Sequence, residues 1–212
     1  MSAARKMNAT KIEILRVATD MFLKNGYTDT TIKYISDSLG ISTGNLTFHY
    51  PTKEHLLTLL VEMLCDFQWK VMERETQTSG SSLAALCLEL PAIAACCQDN
   101  AIARDFYLSV YSHAMSLDVI RRNDARKAQL VFGRFCHQWQ QSDYAAAQDI
   151  ASGIEYGILM HTNCSVSLEQ RLRYGMDTLM QLYQVPATMR KETIARVISM
   201  DYDFGRYHRR TG

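Results

Sequence analysis

The sequence predicts an all-α protein, with a small amino-terminal helical domain followed by a larger helical bundle. The first observation is the shortage of turn residues, since the 212 residues include only 10 glycines and 3 prolines. Average composition would give roughly 15 glycines and 11 prolines. The second observation is the spacing of apolar residues, which recur at intervals of three and four along most of the chain. With 47% hydrophobic residues, such helices can bury a sizeable core.

Three short helices are expected before residue 52. The first begins near Thr10, because Thr10 and Glu13 match a capping box, and it ends at Asn25-Gly26. Thr30 or Thr31 caps the second helix. That helix stops after about two and a half turns, where a glycine at position 40 breaks the pattern. Ser42 then caps a third, very short helix that runs to about residue 50.

A fourth helix starts at Lys53 and opens the second predicted domain, so the expected domains are residues 1–52 and 53–212. Ser167 and Gln170 give another capping-box signal within this second domain. About 9 or 10 helices are expected in all. The predicted helices of the second domain are 53–77, 81–97, 100–116, 118–141, 143–163, 168–184 and 187–201.

The gross composition excludes several classes of protein. A net charge of +1 indicates no polyanionic partner by itself, so nucleic-acid binding would depend on the local placement of charge. No apolar run approaches the roughly 18 residues of a membrane span, and the amino terminus lacks a secretory signal. We therefore expect a cytoplasmic protein whose six cysteines are reduced and mostly buried. His161 and Cys164 are spaced H-x2-C, but no second pair of suitable spacing lies nearby. We therefore expect no metal and no cofactor.

The segment 30–53, TTIKYISDSLGISTGNLTFHYPTK, has the design of a helix-turn-helix. A short amphipathic helix precedes a glycine turn and a second short helix whose outer face is polar. Such a helix fits the major groove of DNA. The candidate DNA-binding residues are Thr30, Thr31, Lys33, Ser42, Thr43, Gly44, Asn45, Thr47, Phe48, His49 and Lys53.

Basic residues also lie near the two ends of the sequence. Arg5, Lys6 and Lys11 are equally compatible with an arm on DNA phosphates and with a solvated terminus. The basic tail around Arg209 and Arg210 is expected to be a frayed terminus.

Residues 10–60 resemble the DNA-binding domain of the tetracycline-repressor (TetR) family of bacterial transcriptional regulators. The matching elements are the apolar first helix ending in NGYTDTTI, the turn SLGISTGNL, and the close FHYPTKEHLL. The family usually has an aromatic residue at the position of Thr47, where it commonly touches the DNA backbone. In this chain Phe48 and Tyr50 follow instead.

The resemblance implies a homodimer whose last two long helices, 143–163 and 168–184, form a four-helix interface with their mates. The same apolar pattern is equally what an intrachain core would show, and the resemblance alone favours the interface. The candidate interface residues are Ile150, Ile154, Gly157, Ile158, Leu172, Met176, Leu179 and Tyr183.

The resemblance also implies a helical body that binds an unknown small-molecule effector. Segment 81–141 is rich in aromatic, Met and Cys residues, which suit an apolar effector but also an ordinary core. Tyr107, Tyr111 and His137 are the candidate pocket residues, because their polar ends need partners if they are buried.

The expected function is that of a ligand-responsive regulator of transcription that binds an operator in double-stranded DNA, with a repressor favoured over an activator. Two alternatives remain: an enzyme built on a helical bundle, and a helical interaction protein that does not bind DNA. The enzyme is disfavoured because the chain has no Glu-x-x-His pair, no glycine loop for phosphate and no credible triad. No catalytic residue is therefore expected.

Overall fold

The computed structural model describes residues 9–79, 81–161 and 165–199. Eleven helices and no strands occur in these ranges, which confirms the all-α fold class. The helices are α1 (Ala9–Asn25), α2 (Ile32–Ser38), α3 (Thr43–His49), α4 (Lys53–Ser79), α5 (Ser82–Cys87), α6 (Glu89–Asp99), α7 (Ala101–Ser112), α8 (Ala114–Phe132), α9 (Gln141–Met160), α10 (Leu168–Leu182) and α11 (Ala187–Ile198).

The caps predicted for the two short helices are present. The Thr31 hydroxyl accepts a hydrogen bond from the amide of Tyr34 at 3.0 Å and so caps α2. The Ser42 hydroxyl accepts from the amide of Asn45 at 3.1 Å and caps α3. Gly40, between the two helices, has a φ of +64°, a conformation that side chains with a Cβ disfavour. Local sequence therefore determines where α2 and α3 begin.

The predicted capping box at the start of α1 is wrong. Thr10 lies inside the helix, which already includes Ala9. The Glu13 carboxylate pairs with the guanidinium of Arg16 at 2.7 Å, one turn later on the same exposed face. At the start of α10, by contrast, the Ser167 hydroxyl accepts from the Gln170 amide as a cap should.

Two predicted helices are shorter than expected. The segment 81–97 is divided at Leu88 into α5 and α6, because Pro91 has no amide hydrogen to donate to the carbonyl of Cys87. A proline is tolerated in the first turn of a new helix, where its missing amide hydrogen would have no partner in the helix. The segment 118–141 ends at Phe132, and a tight turn follows in which the Phe135 amide donates to the Phe132 carbonyl at 2.8 Å.

Two hydrophobic clusters fill the described part of the chain. The amino-terminal cluster combines α1, α2 and α3 with the first half of α4 and with Phe106, Val110 and Val119 from α7 and α8. The second cluster fills the bundle of α4 to α11. Helix α4 contributes to both, with Val61 in the first and Met72 in the second. The amino-terminal domain, formed by α1 to α3, is thus packed against α7 and is not joined by a flexible linker.

Some sequence expectations fall outside the described residues. Arg5, Lys6 and the basic tail around Arg209 and Arg210 lie there, as does Cys164. Within the described ranges, no helix has the length and hydropathy of a membrane span. In the same ranges, no three His, Cys, Asp or Glu side chains gather as metal ligands would.

Candidate nucleic-acid interface and internal cavities

Helix α3 is anchored by its inner face and its two ends. Leu46 is fully buried in the amino-terminal cluster beside Ile35 of α2. Ser42 caps the start, and Tyr50, just after the end, is buried and donates its hydroxyl to the carbonyl of Lys11 at 3.0 Å. These contacts fix α3 against α1 and α2, so its opposite face points away from the domain.

The outer face of α3 and the start of α2 are accessible, and we call these residues the recognition surface. Its exposed members are Thr31, Lys33, Ser42, Thr43, Gly44, Asn45 and Phe48, and its half-buried members are Thr47 and His49.

Phe48 dominates the recognition surface, with 83% of its surface exposed. It packs edge-on against the His49 ring, with the ring centroids 5.2 Å apart. The Thr47 hydroxyl donates back to the Thr43 carbonyl at 3.0 Å, which leaves its methyl group as the outward feature. The Phe48 ring is therefore open to contact from outside the domain.

Two predicted DNA contacts are withdrawn because their polar atoms are used inside the domain. Thr30 is buried, and its hydroxyl donates to the carbonyl of Gly26 at 2.7 Å. The Lys53 ammonium donates to the carbonyls of Tyr27 at 2.7 Å and Thr30 at 2.8 Å, and it lies 4.0 Å from the centre of the Tyr27 ring. Burial lowers the pKa of Lys53. Both residues hold the α1–α2 connection in place.

Two neighbouring cavities open inside the bundle. The first lies between α4, α6, α7, α8 and α9, and the second lies between α5, α6, α8, α9 and α10. They share one wall, which is formed by Glu89, Leu90, Asp124 and Glu155. Largely apolar pockets with a few polar groups commonly bind small molecules.

Two of the three predicted pocket residues line the first cavity. Tyr107 and Tyr111 both do so, and burial raises the pKa of both phenols. His137 lies exposed in the turn after α8 and lines neither cavity, so this prediction is wrong. It failed because α8 ends at Phe132, nine residues before the predicted end at 141.

Sequence reasoning missed the charged wall of the cavities. Lys127 is fully buried, and its ammonium lies 2.8 Å from Glu89 and 3.5 Å from Asp124. Glu155 accepts a hydrogen bond from the Tyr111 hydroxyl at 2.9 Å. Asp124 and Lys127 are three residues apart on one face of α8, but many exposed helices carry the same spacing. A signal of that kind cannot distinguish a buried pair from a solvated one.

The residues predicted for a dimer interface divide into two groups. Ile158, Leu172, Met176 and Tyr183 are buried within the single chain, and this half of the prediction is wrong because α9 and α10 pack their inner faces against the bundle. Leu179 is largely buried and lines the second cavity. Ile150, Ile154 and Gly157 keep accessible surface on α9, with Ile150 56% exposed.

Comparison with known proteins agrees with this architecture. Residues 14–60, which cover α1 to the start of α4, match the family model described as bacterial regulatory proteins, tetR family. The match covers about a fifth of the chain, and over this part the chain is similar to the TetR family. The fold is similar to solved structures over more of the chain, and a structure of RolR with the ligand resorcinol has a TM-score of 0.69. That structure is 15% identical and covers 88% of this chain and 93% of its own. Thermus thermophilus FadR with lauroyl-CoA gives a TM-score of 0.61 at 15% identity, covering 83% and 96%.

The curated relatives that match this chain are regulators by name. The regulator QacR of Staphylococcus aureus is 38% identical over 72 residues, which are 32% of this chain and 38% of QacR. The repressor KstR2 of Mycobacterium tuberculosis is 33% identical over 64 residues, 30% of this chain and 32% of KstR2. The regulator RutR of Escherichia coli is 29% identical over 83 residues, 39% of each. The chain thus matches about a third to two fifths of the length of these relatives.

Proposed function

We propose that the protein is a homodimeric regulator of transcription whose affinity for a DNA operator changes when a small effector enters its bundle. The observation that carries the proposal is the orientation of α3. The helix is pinned by Leu46, while Asn45 and Phe48 extend outward from a rigid support. An enzyme would not need a polar helix held in this way, and the named relatives are regulators.

The chemistry of the recognition surface suits the major groove. An asparagine amide can form two hydrogen bonds with an adenine, so Asn45 is the proposed base reader. Gly44 lets the backbone come close to the DNA. The Thr47 methyl and the Phe48 ring are suited to thymine methyl groups or to the sugar backbone. Phe48 would then supply the aromatic contact that the family usually makes from the position of Thr47.

Two residues at the start of α2 suit the DNA backbone. Thr31 is exposed at the N-terminus of the helix, and Lys33 forms only a solvent-exposed pair with Asp37, at 2.6 Å. Exposed pairs of this kind contribute about 0–1 kcal/mol. Lys33 can therefore exchange Asp37 for a phosphate at little cost, which supports its place in the proposed DNA contact.

Helix α7 is the proposed connection between the cavity and the recognition surface. Tyr107 and Tyr111 line the first cavity. On the same helix Asp105 accepts hydrogen bonds from the amide of Thr28, at 2.9 Å, and from its hydroxyl. His113, at the end of α7, lies 3.4 Å from the Tyr27 hydroxyl. An effector that shifts α7 would therefore move the α1–α2 connection and, through it, the support of α3.

The proposed dimer uses the outer face of α9. Five residues there follow one another at intervals of three and four, and all keep accessible surface: Ala146, Ile150, Gly153, Gly157 and Met160. Neither Gly153 nor Gly157 has a heavy atom near the place where a Cβ would stand, so another helix can approach closely. Two reading domains joined in this way would meet half-sites about 34–36 Å apart, or multiples of that distance.

Binding to DNA from beside the protein's own gene, measured by fluorescence anisotropy at several salt concentrations, tests the proposal. The logarithm of the affinity should fall with the logarithm of salt, with a slope of about −0.9 for each phosphate neutralised. The variant Asn45→Ala should lose roughly 1–3 kcal/mol of specific binding while its binding to random DNA is unchanged. Gln129→Ala, an exposed amide on α8, is the matched control and should bind as the wild type does.

The outcomes of this experiment are distinct. Affinity that does not respond to salt would contradict DNA binding of the proposed kind. An equal loss on specific and random DNA in Asn45→Ala would show that Asn45 does not read bases. Transcription from the bound promoter, measured with and without the protein, then separates a repressor from an activator; we expect repression, as the names of KstR2 and FadR suggest.

A further inference from the structure

The wall between the two cavities is acidic on the side that a ligand would meet. Glu89, Asp124 and Glu155 line both cavities. Lys127, the cation of the cluster, lines neither of them. Three carboxyl groups share one buried ammonium at this wall, so at least one of them has no counter-charge of its own.

The Lys127 ammonium already has partners within the protein. Its ammonium is 2.8 Å from each Glu89 oxygen, 3.3 Å from the side-chain oxygen of Gln68 and 3.5 Å from Asp124. An ammonium has three hydrogens to donate, and these partners account for them. An anionic ligand would find no free cation here, whereas the carboxyl groups remain accessible from the cavities.

Glu155 is the carboxyl group without a counter-charge. Within the described ranges no ion pair reaches it, and its hydrogen bond comes from the neutral Tyr111 hydroxyl at 2.9 Å. Burial, with Asp124 nearby, raises the pKa of Glu155 to about 8. Glu155 therefore holds a proton near neutral pH in the empty protein, and a cationic group beside it would replace that proton.

Gln148 gives a second and independent indication of a ligand. It lines the second cavity and is only 3% exposed. Its oxygen accepts from the Tyr183 hydroxyl at 3.1 Å, but its amide nitrogen has no hydrogen-bond partner within the described residues. A buried donor left unpaired costs about 1–3 kcal/mol. An acceptor on a bound molecule would remove that cost.

The two groups are placed for the ends of one molecule. Gln148 and Glu155 are seven residues apart on α9, which is about two turns and roughly 10 Å along the helix axis. Between them Ala151 lines the second cavity, with Ala128 of α8 nearby and the ring of Phe132 at its side. Small and apolar residues in this position leave space for a flat, apolar body.

We propose that the effector is an elongated apolar cation whose amidinium or ammonium group pairs with Glu155 and whose other end offers a hydrogen-bond acceptor to Gln148. This inference rests on the proposed function, since it assigns the chemistry of the effector that the regulator detects. It concerns binding in the bundle and can be measured without DNA.

Isothermal titration calorimetry with matched probes tests the charge of the ligand. The probes are benzamidine, its neutral counterpart benzamide, and resorcinol, the neutral ligand of the similar RolR structure. We expect benzamidine to bind at least tenfold more tightly than either neutral molecule. Equal or tighter binding of benzamide or resorcinol, or no detectable binding of benzamidine, overturns the proposal.

The variant Glu155→Gln tests the position of the cation. Loss of a charged hydrogen bond should weaken benzamidine binding roughly tenfold to a hundredfold. The control Glu192→Gln, an exposed carboxylate on α11, should bind as the wild type does. Benzamide binding should change little in Glu155→Gln, so a general loss of both probes would indicate misfolding. Circular dichroism shows whether the variant is folded. A folded Glu155→Gln variant that binds benzamidine normally places the cation elsewhere and overturns the proposal.

The pH dependence gives a third measurement of the same pair. Because the raised pKa of Glu155 keeps it protonated below about 8, benzamidine must displace a proton to bind there. Facing groups are Tyr111 on α7, Asp124 and Lys127 on α8, and Glu89 on α6. Affinity should rise about tenfold per pH unit up to that value and then level off. Proton release, measured in two buffers, should disappear in Glu155→Gln; wild-type binding that takes up or releases no proton contradicts the proposal.

The acceptor end is tested by adding it to the probe. 4-Carbamoylbenzamidine should bind roughly threefold to tenfold more tightly than benzamidine, the gain of one hydrogen bond. In Gln148→Leu, which keeps the shape of the side chain, the ratio should return to about one. An equal ratio in both proteins would show that Gln148 does not meet the acceptor.

Failure of the inference differs from failure of the proposed function. A protein that binds its operator but prefers a neutral probe refutes the cationic effector alone. A protein that binds benzamidine through Glu155 but shows no salt-dependent DNA binding supports the site and refutes the regulator.

Discussion

Two lysines of the amino-terminal domain show how burial determines the role of a residue. Lys33 and Lys53 flank the helix-turn-helix, and both are candidates for DNA contacts by sequence. Lys33 is exposed and pairs weakly with Asp37, whereas Lys53 donates to two backbone carbonyls and covers the Tyr27 ring. Hydrogen bonds from a charged donor to partly buried carbonyls contribute more than an exposed ion pair.

The variant Lys53→Met should therefore reduce the free energy of unfolding by about 1–3 kcal/mol, since the carbonyls of Tyr27 and Thr30 lose the hydrogen bonds from the ammonium. Lys33→Met is the matched control and should change it by less than about 1 kcal/mol. Urea denaturation measures both. Equal stability of the two variants would mean that the carbonyls find water as an adequate substitute.

The buried Lys127 provides a sharper case. Lys127→Met should cost about 3–5 kcal/mol, because Glu89 and Asp124 are left without a counter-charge. Arg122→Met breaks an exposed pair on the same helix and should cost less than about 1 kcal/mol. Adding Glu89→Gln and Asp124→Asn to Lys127→Met should recover part of the loss. If the triple variant is no more stable than Lys127→Met, uncompensated charge is not the cause.

The pH dependence of Lys127→Met follows from the same carboxyl groups. Burial raises the pKa of Glu89 and Asp124 even in the wild type, and removal of the ammonium raises both further. A group whose pKa is higher in the folded state binds more protons there, so stability falls as pH rises through that range. As the pH rises above the ordinary carboxyl pKa, the variant should lose stability relative to the wild type, as thermal denaturation would show; a constant difference would contradict this account.

At the scale of elements, α7 joins the two hydrophobic clusters. Phe106 and Val110 belong to the amino-terminal cluster, while Tyr107 packs against both. Asp105 lies at the surface of this contact, where it accepts from Thr28 and approaches Gly26, whose φ of +88° turns the chain. The position of the reading domain thus depends on one helix that also lines a cavity.

The variant Asp105→Ala tests this connection. The Thr28 amide should lose its acceptor, and its hydrogen exchange should accelerate relative to the wild type. Operator binding without effector should change little, whereas the response to effector should weaken because α7 no longer holds the α1–α2 connection. Asp118→Ala, an exposed carboxylate on α8, is the control. Unchanged exchange at Thr28 would show that Asp105 is not its main protection.

At the scale of the whole molecule, the described part of the chain leaves an apolar stripe on α9 without cover. The outer stripe of α9 includes Ile150 and Met160, and Tyr174 is exposed on α10. The inner faces of the same helices are already committed to the bundle core. A helix that is apolar on both faces indicates burial on both, and a second copy of the chain is the proposed cover.

The variant Ile150→Arg should convert the proposed dimer to a monomer, because charged side chains would then oppose one another across a symmetric contact. Leu130→Arg is the control, since Leu130 is 68% exposed on α8, away from the stripe. Sedimentation velocity measures both. A dimer that survives Ile150→Arg places the contact on another face.

The sequence by itself determined the all-α class, the positions of α2 and α3 and the accessibility of Asn45 and Phe48. These features depend on interactions within a few residues, such as the caps at Thr31 and Ser42 and the turn at Gly40. The break between α5 and α6 could also be predicted from the sequence, because Pro91 lacks an amide hydrogen. The predicted capping box at Thr10 does not form, so a local sequence signal is not always sufficient.

Only the tertiary structure decided which side chains face inward. The carbonyl partners of Lys53 are 23 or more residues away, and Glu89 is 38 residues from Lys127, so no periodicity reports these contacts. Thr30 bonds a carbonyl only four residues away, but its burial depends on the packing around it. The apolar residues of α9 and α10 could serve a core or an interface equally well. Packing alone assigned Leu172 and Met176 to the core and left Ile150 outside, since burial depends on what the rest of the chain brings to each face.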